Sequence, residues 1–530
     1  MNKLFSLFQK VKKRVPGTEP NAVPPKPKPP VPLEDSIKNV FQEVTHRFGN
    51  SPDIVSRRIY LGEPPGIPVG ILYVKGLTDA TQLIQSLLAD RIVWDGEKSY
   101  PPAKAISYLK HVVITVSEVN EIGDYDEMMH ALFSGQTILL VEGINRALSV
   151  STEGGARRGV EEPSTQSVIR GPREGFTETI DVNTAMVRRK IRDPRLWIEN
   201  QRIGKVTHTR VALMYIKGLA DEGVLKEVRH RLSRIDIDGI LESGYIEEMI
   251  QDAPFSPFPT LFNTERPDTA AAWLLEGHVA VFVDGTPFIL LAPALFNQYF
   301  HAPEDSYQRA DFAALLRLLR FLCFFIALLA PSLYIAITTF HQELLPTPLL
   351  IGLAGQREGV PFPAFVEALA MEITFEILRE ASVRMPKTIG QSVSIVGTLV
   401  IGQAAVEAGL VSPAMVIIVS ITAISNFVIP AFSMGISIRM LRLLFMGLAA
   451  SFGLFGLVIC MIGMILHLTS LSSFGVPYMA PFAPFMPAEQ KDSLIRLPRW
   501  AMFSRPRMST DNNLIREENT AAQPQKEDHA

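Results

Sequence analysis

At 530 residues the chain is long enough for two or three domains, and its net charge of −3 says little because it averages two unlike halves. Hydrophobic residues make up 47%, with the excess in the C-terminal part. The two cysteines, Cys323 and Cys460, fall in apolar runs, which excludes a disulfide framework or a Cys-based zinc site.

Met1 to Arg14 reads either as a basic amphipathic stretch suited to an anionic leaflet, with Leu4, Phe5, Leu7, Phe8 and Val11 on or near one side, or as a disordered basic tail. It lacks the apolar core of a cleavable signal peptide, so the soluble half is expected to stay in the cytoplasm. Pro16 to Pro32 holds eight prolines in seventeen residues, an extended, semi-rigid linker that completes a tail over 1–32. Folded sequence is expected from Leu33, with a helical pattern through Phe41, Val44 and Phe48.

An internal duplication follows. Ile71-Leu-Tyr-Val-Lys-Gly-Leu-Thr-Asp79 returns as Leu213-Met-Tyr-Ile-Lys-Gly-Leu-Ala-Asp221, and Val141-Glu-Gly143 as Val283-Asp-Gly285. The offsets agree, since 218 − 76, 277 − 135 and 285 − 143 all give 142. Two related α/β lobes with mixed sheets are therefore expected, over 33–150 and 208–310. Each has a strand (Val69–Val74; Val211–Ile216), a helix (Thr78–Ile92; Asp221–Ile235), and a helix ending at Gly135 or Gly277. A hairpin follows, starting with Thr137–Val141 or Val279–Val283. His111–Ser117 reads as a further strand of the first lobe. Between the lobes, 151–207 reads as a loop and a basic helix. Its cluster Arg188, Arg189, Lys190, Arg192 and Arg195 is a solvated face or a docking surface for another subunit or lipid headgroups. No nucleic-acid-binding motif accompanies it, and no nucleic-acid partner is expected.

Near residue 310 the composition changes. Arg320 to Phe340 carries no charge between its ends, the roughly 20 residues that cross a hydrocarbon core. Further candidate spans are Ile389–Leu410, Pro413–Met434 and the region Leu443 to Ala488. That last region has no Asp, Glu, Lys or Arg and room for two crossings, the second Pro-rich and either spanning or re-entrant. Over Phe362–Met385, Glu372, Glu376 and Glu380 fall within an 80° arc, an acidic stripe on an apolar helix. That helix either spans with the stripe toward water or lies at the interface. If it spans and the uncharged region crosses twice, every basic cluster falls inside. A transmembrane helical domain is expected over 311–490, with four to six spans, and a cytoplasmic tail over 491–530.

No phosphate-cradling loop, serine elbow or two-histidine zinc helix is present, so no enzymatic activity, cofactor or metal is expected. Pro346-Thr-Pro-Leu-Leu-Ile351, Arg357-Glu-Gly-Val-Pro-Phe-Pro363, Glu372 to Glu380, Ile389-Gly-Gln-Ser-Val-Ser-Ile-Val-Gly397 and Ala423-Ile-Ser-Asn-Phe-Val-Ile-Pro430 resemble the A subunit of the GerA-type spore germinant receptors. So do Arg170-Gly-Pro-Arg-Glu-Gly-Phe-Thr-Glu178 and Thr264-Glu-Arg-Pro-Asp268. The resemblance covers about residues 35 to 505. It implies an inner-membrane protein of dormant spores that works with a transporter-like B subunit and a lipoprotein C subunit. It also implies a homo-oligomer forming a nutrient-gated cation channel.

Glu372, Glu376 and Glu380 are the first pore candidates, since a ring of carboxylates selects cations; solvated acids on an interfacial helix are the alternative. Pro430 would kink a span and free the Asn426 carbonyl for a cation or a hinge, or make an ordinary packed kink. Gln391, Ser392, Ser394, Thr398 and Gln403 line water or pack closely. His341 and Glu343 are outer-face partner contacts or solvated loop, and Arg188, Arg189 and Arg192 are partner contacts on the soluble side. A non-conducting scaffold that couples the B and C subunits to a separate release system is the competing function.

Overall fold

The structure, a computed structural model, describes residues 31–61, 66–89, 102–110, 118–154, 162–163, 166, 168, 170–385, 402–487, 489–502 and 505. The basic N-terminal stretch, most of the proline linker, the strand His111–Ser117, residues 389–401 of the span Ile389–Leu410 (with Gln391, Ser392, Ser394 and Thr398) and most of the tail beyond 502 lie outside the described residues.

The first lobe runs α1 (Ile37–Arg47), β1 (Ile54–Leu61), β2 (Ile67–Val74), α2 (Thr81–Ala89), α3 (Pro102–Tyr108), β3 (Val119–Ile122), α4 (Tyr125–Phe133), β4 (Thr137–Val141) and β5 (Ala147–Val150). The second runs α5 (Ile180–Lys190), β6 (Leu196–Ile203), β7 (Thr209–Ile216), α6 (Glu222–Ser233), α7 (Ser243–Ile250), β8 (Phe262–Thr264), α8 (Pro267–Leu275), β9 (Val279–Val283) and β10 (Ile289–Ala292). The sheet orders, β1-β2-β4-β5-β3 and β6-β7-β9-β10-β8, are the same topology twice. Gly135 and Gly277 close α4 and α8 at φ +85° and +95°, left-handed values that favour glycine.

Two expectations are corrected here. Among the described residues the strand pairs are all antiparallel, not mixed. Alternation places a strand but does not give its direction. The segment 151–207 is more than a loop and a helix, because β6 forms the edge of the second sheet, paired with β7 from Leu196↔Ile216 to Ile203↔Thr209. Trp197, Glu199 and Gln201 are part-buried and Asn200 and Arg202 exposed, the mixed pattern of an edge strand that hides its signal.

The helical part follows: α9 (Ala310–Phe340), α10 (Thr347–Arg357), α11 (Ala364–Arg384), α12 (Gly402–Glu407), α13 (Pro413–Phe427) and α14 (Phe432–Ser470). α9 and α14 are long and apolar enough to cross a membrane. α14 is not one rod. Gly453 takes φ +61° and ψ −142°, outside helical space. A Cβ on Gly456 would lie 2.4 Å from the Leu448 carbonyl oxygen, eight residues away and about 12 Å along a straight helix. At its two ends, Ser437 donates to the Pro257 carbonyl (2.5 Å) and His467 meets Ser256 (2.8 Å). α14 is thus a hairpin whose arms, 432–452 and 454–470, run antiparallel with both outer ends at the second lobe.

This orients the long helices between a lobe end and a far end. α9 starts beside Asp305 and Phe300 and finishes with His341 packed on Gly453 at the far end. α11 starts at the far end, where Glu367 accepts from the Ser412 amide, and descends to Glu376 beside Arg439. α13 starts at Ser412, its N-cap, and ends with Phe427 near the lobe. The Pro413–Met434 span is therefore split: Pro430 lies between α13 and α14, where a missing amide and a fixed φ end a helix instead of kinking it.

The Pro-rich region after residue 470 is neither a crossing nor re-entrant. Ser472–Ser473 and Val476–Pro477 form a short hairpin, and the Tyr478 carbonyl accepts from the Phe296 amide. Tyr478 packs against Phe296 and Tyr299, so these apolar side chains find their burial in the second lobe's aromatic core.

Candidate functional site

On α11, each acid of the stripe has found an arginine. Glu372 pairs with Arg442 of α14 at 2.7 Å, both side chains 4% exposed, and Arg442 also donates to the Ala327 carbonyl of α9. One turn on, Glu376 pairs with Arg439 at 2.6 Å. A further turn on, Glu380 and Arg384 form an exposed i,i+4 pair at 2.6 Å. Arg379 lies over the rings of Phe427 and Phe432.

The stripe is therefore not a bare row of carboxylates. It is one wall of a groove of about 770 Å³ whose other wall is the first arm of α14. Ile373, Ile377, Met440 and Leu443 form exposed apolar rims around the charged floor. One oxygen each of Glu372 and Glu376 is buried without a hydrogen-bond partner among the described residues. A buried pair adds little net stability, but removing one member leaves an uncompensated charge, so these pairs chiefly fix how α11 sits on α14.

A second acid, not singled out from the sequence, organises the far end. Glu367 is fully buried, faces Arg357 of α10 at 3.3 Å and accepts from the Ser412 amide at 3.0 Å. The signal was present in Arg357-Glu-Gly-Val-Pro-Phe-Pro363, but a motif does not tell which partner its arginine meets. Asn426, 8% exposed, lies beside Gly435, and its Oδ1 has no partner among the described residues. Gln403 is exposed and donates to Glu407.

The proposed partner contacts separate. Arg188 is fully buried and makes a bidentate pair with Asp53, over the ring of Phe48. It ties the second lobe to the first and is corrected from surface contact to inter-lobe tie; sequence cannot separate a buried arginine from a solvated one in a basic run. Arg189 is half-buried and Arg192 exposed. His341 is packed on the α14 hairpin turn, while Glu343 is exposed at the far end.

At the lobe end a buried cluster joins soluble part, helices and tail. Asp305 is held by Arg320 at 2.7 Å and Arg317 at 3.1 Å, and Arg317 reaches Asp492 at 2.9 Å. Burial would raise the Asp305 carboxyl, but the Arg320 and Arg317 guanidiniums hold it below the usual carboxylate range. Nearby His278 and His301 are pushed down to about 4 by burial and stay neutral. His278 faces the Trp273 carbonyl and the Gln298 amide, and His301 the Ser493 carbonyl.

The model of the Bacillus/Clostridium GerA spore germination protein matches residues 42–508. Spore germination protein KA of Bacillus subtilis (strain 168) is 49% identical over 92% of this chain and 89% of its own. Spore germination protein GerLA of Bacillus cereus is 38% identical over 91% and 98%. A crystal structure of the N-terminal domain of the A subunit of the Bacillus megaterium spore germinant receptor GerK3 is 40% identical, covers 51% of this chain and 99% of that one, and has a TM-score of 0.40. With the match running from the first lobe through the charged groove to the tail, the chain belongs to the GerA spore germination protein family.

Proposed function

We propose that this chain is the A subunit of a nutrient germinant receptor in the spore inner membrane, acting with a B and a C subunit. In this proposal it is multi-pass, with lobes and tail on the cytoplasmic side. α9, α11, α13 and the two arms of α14 each run between the lobe end and the far end. Among the described residues that makes five passes, and Gly409, just beyond α12, lies against Gly359 at the far end. Arg317, Arg320, Arg379, Arg384, Arg496 and Arg499 lie toward the lobe end, the bias expected for a cytoplasmic face.

Copies of the chain assemble so that the α11/α14 groove lines a cation path. The observation that carries this is the groove itself: ionised side chains on a floor with apolar rims, open sideways at the level of the helices. Charge facing hydrocarbon is costly and is normally turned toward water or protein. Arg439 and Arg442 occupy the positions beside the carboxylates that a passing cation would take, so the present arrangement is a closed one. Opening separates α11 from α14 and hands the carboxylates to cations.

One observation favours the competing scaffold: each acid of the stripe is already neutralised by an arginine, which suits a fixed helix contact. The test is potassium efflux from liposomes holding this chain with its B and C partners, with and without nutrient mixtures. Nutrient-triggered efflux that Glu372→Gln/Glu376→Gln/Glu380→Gln alters supports the channel. A correctly assembled, nutrient-binding complex without efflux supports the scaffold.

A further inference from the structure

Between α7 and β8 the second lobe projects a loop toward the helices. Ala253, Pro254 and Phe255 at its tip carry no charge and are exposed, and none of the described residues covers Phe255. The tip is not loose. The Ser256 amide donates to the Ala253 carbonyl at 2.8 Å, and Ala253 is held at φ +49°, a left-handed value that non-glycine residues adopt at a cost. Ser256 is hydrogen-bonded to His467 and the Pro257 carbonyl accepts from Ser437, so the loop is pinned to both arms of the α14 hairpin. Phe258, beneath, packs tilted against His467 and edge-on against Phe296.

These pins set the height of Phe255. Ser437 lies five residues inside one arm and His467 three residues inside the end of the other, about one turn below the helix ends. At that height the neighbours Ile436 and Leu466 present exposed apolar side chains. Resting on the multi-pass reading above, we infer that Phe255 inserts into the cytoplasmic membrane–water interface and anchors the second lobe to the bilayer. An aromatic ring at the headgroup level is the usual interfacial anchor, and a strained, uncharged tip fastened to two membrane helices keeps that ring at a fixed depth. The lobe is then coupled to the lipid surface as well as to the helices.

The test uses Phe255→Trp in the full chain, reconstituted in phosphatidylcholine–phosphatidylglycerol vesicles with bromines either shallow or deep on the acyl chains. Emission of the unsubstituted protein, which has four tryptophans, is subtracted. Ile462→Trp, on the exposed face of the second arm, is the control. The expected result is blue-shifted emission from position 255 that shallow bromines quench more than deep ones, with position 462 showing the reverse order. Fully hydrated, unquenched emission at 255 while 462 is quenched overturns the anchor and leaves the multi-pass reading standing. Loss of quenching at both positions overturns both. A blue shift at 255 that appears only when the B and C subunits are added assigns the tip to a protein contact and overturns the anchor.

Discussion

Arg442 is buried against the Glu372 carboxylate and the Ala327 carbonyl, and its loss would strand the charge of Glu372. Arg442→Gln is expected to destabilise the chain by about 3–5 kcal/mol, the cost of leaving a buried charge unpaired. Adding Glu372→Gln should restore most of that, because two neutral amides can satisfy one another. Denaturant unfolding in detergent checks this; a double variant no more stable than the single one would contradict it. The buried histidines give a second residue-scale expectation. Both are held at about 4 in the folded chain against 6.5 unfolded. Between those values the unfolded state binds the extra protons, so stability is lost as pH falls, by up to about 1.4 kcal/mol per unit for each histidine. Glu247, its carboxyl pushed up to about 7 by burial, works in the opposite direction from pH 7 down to its ordinary 4.5. Two groups outweigh one, so the melting temperature should drop from pH 6.5 to pH 4.5, and His278→Gln/His301→Gln should flatten the drop. Equal slopes for both proteins would contradict the assignment.

At the scale of elements, the duplicated lobes were legible because turns and C-caps demand particular residues. Lys-Gly-Leu, Glu-Gly and Asp-Gly recur at one spacing, and the two sheets repeat one strand order. Strand directions, the edge strands β1 and β6, and the α14 fold-back were not legible. Gly453 sits among many glycines of an apolar run, and what singles it out is a left-handed φ beside His341, which no local pattern announces. A Cβ there would lie 2.7 Å from His341 and 3.0 Å from Phe340. Gly453→Ala should therefore cost about 1–3 kcal/mol from backbone strain and the clash. Gly463→Ala, in the second arm with nothing within 4 Å of its Cβ, should be neutral or stabilising by up to about 1 kcal/mol. Thermal unfolding of the two variants side by side decides this; equal melting temperatures would remove Gly453 as the hinge of the hairpin. The acidic stripe was likewise half legible. Its spacing on α11 is a local property, whereas its partners Arg439 and Arg442 lie 63 and 70 residues along the chain from Glu376 and Glu372, and only the packing of α14 brings them in.

For the whole molecule, the proposal sorts the exposed residues into two compartments. Glu343 lies at the far end and Arg192 on the second lobe, both exposed. In right-side-out vesicles, Glu343→Cys should react with a membrane-impermeant maleimide, and Arg192→Cys should react only after permeabilisation; labelling of both without it would reject the topology. The native Cys323 and Cys460 are buried and should stay silent. The claim on which the rest hangs is that the α11/α14 groove carries cations once the receptor opens. Its most direct test is the reversal potential of nutrient-activated current under a potassium chloride gradient, recorded from the complete receptor in planar bilayers. The expected result is a cation-selective current whose selectivity collapses toward zero in Glu372→Gln/Glu376→Gln. A current of unchanged selectivity in that variant would place the conducting path elsewhere.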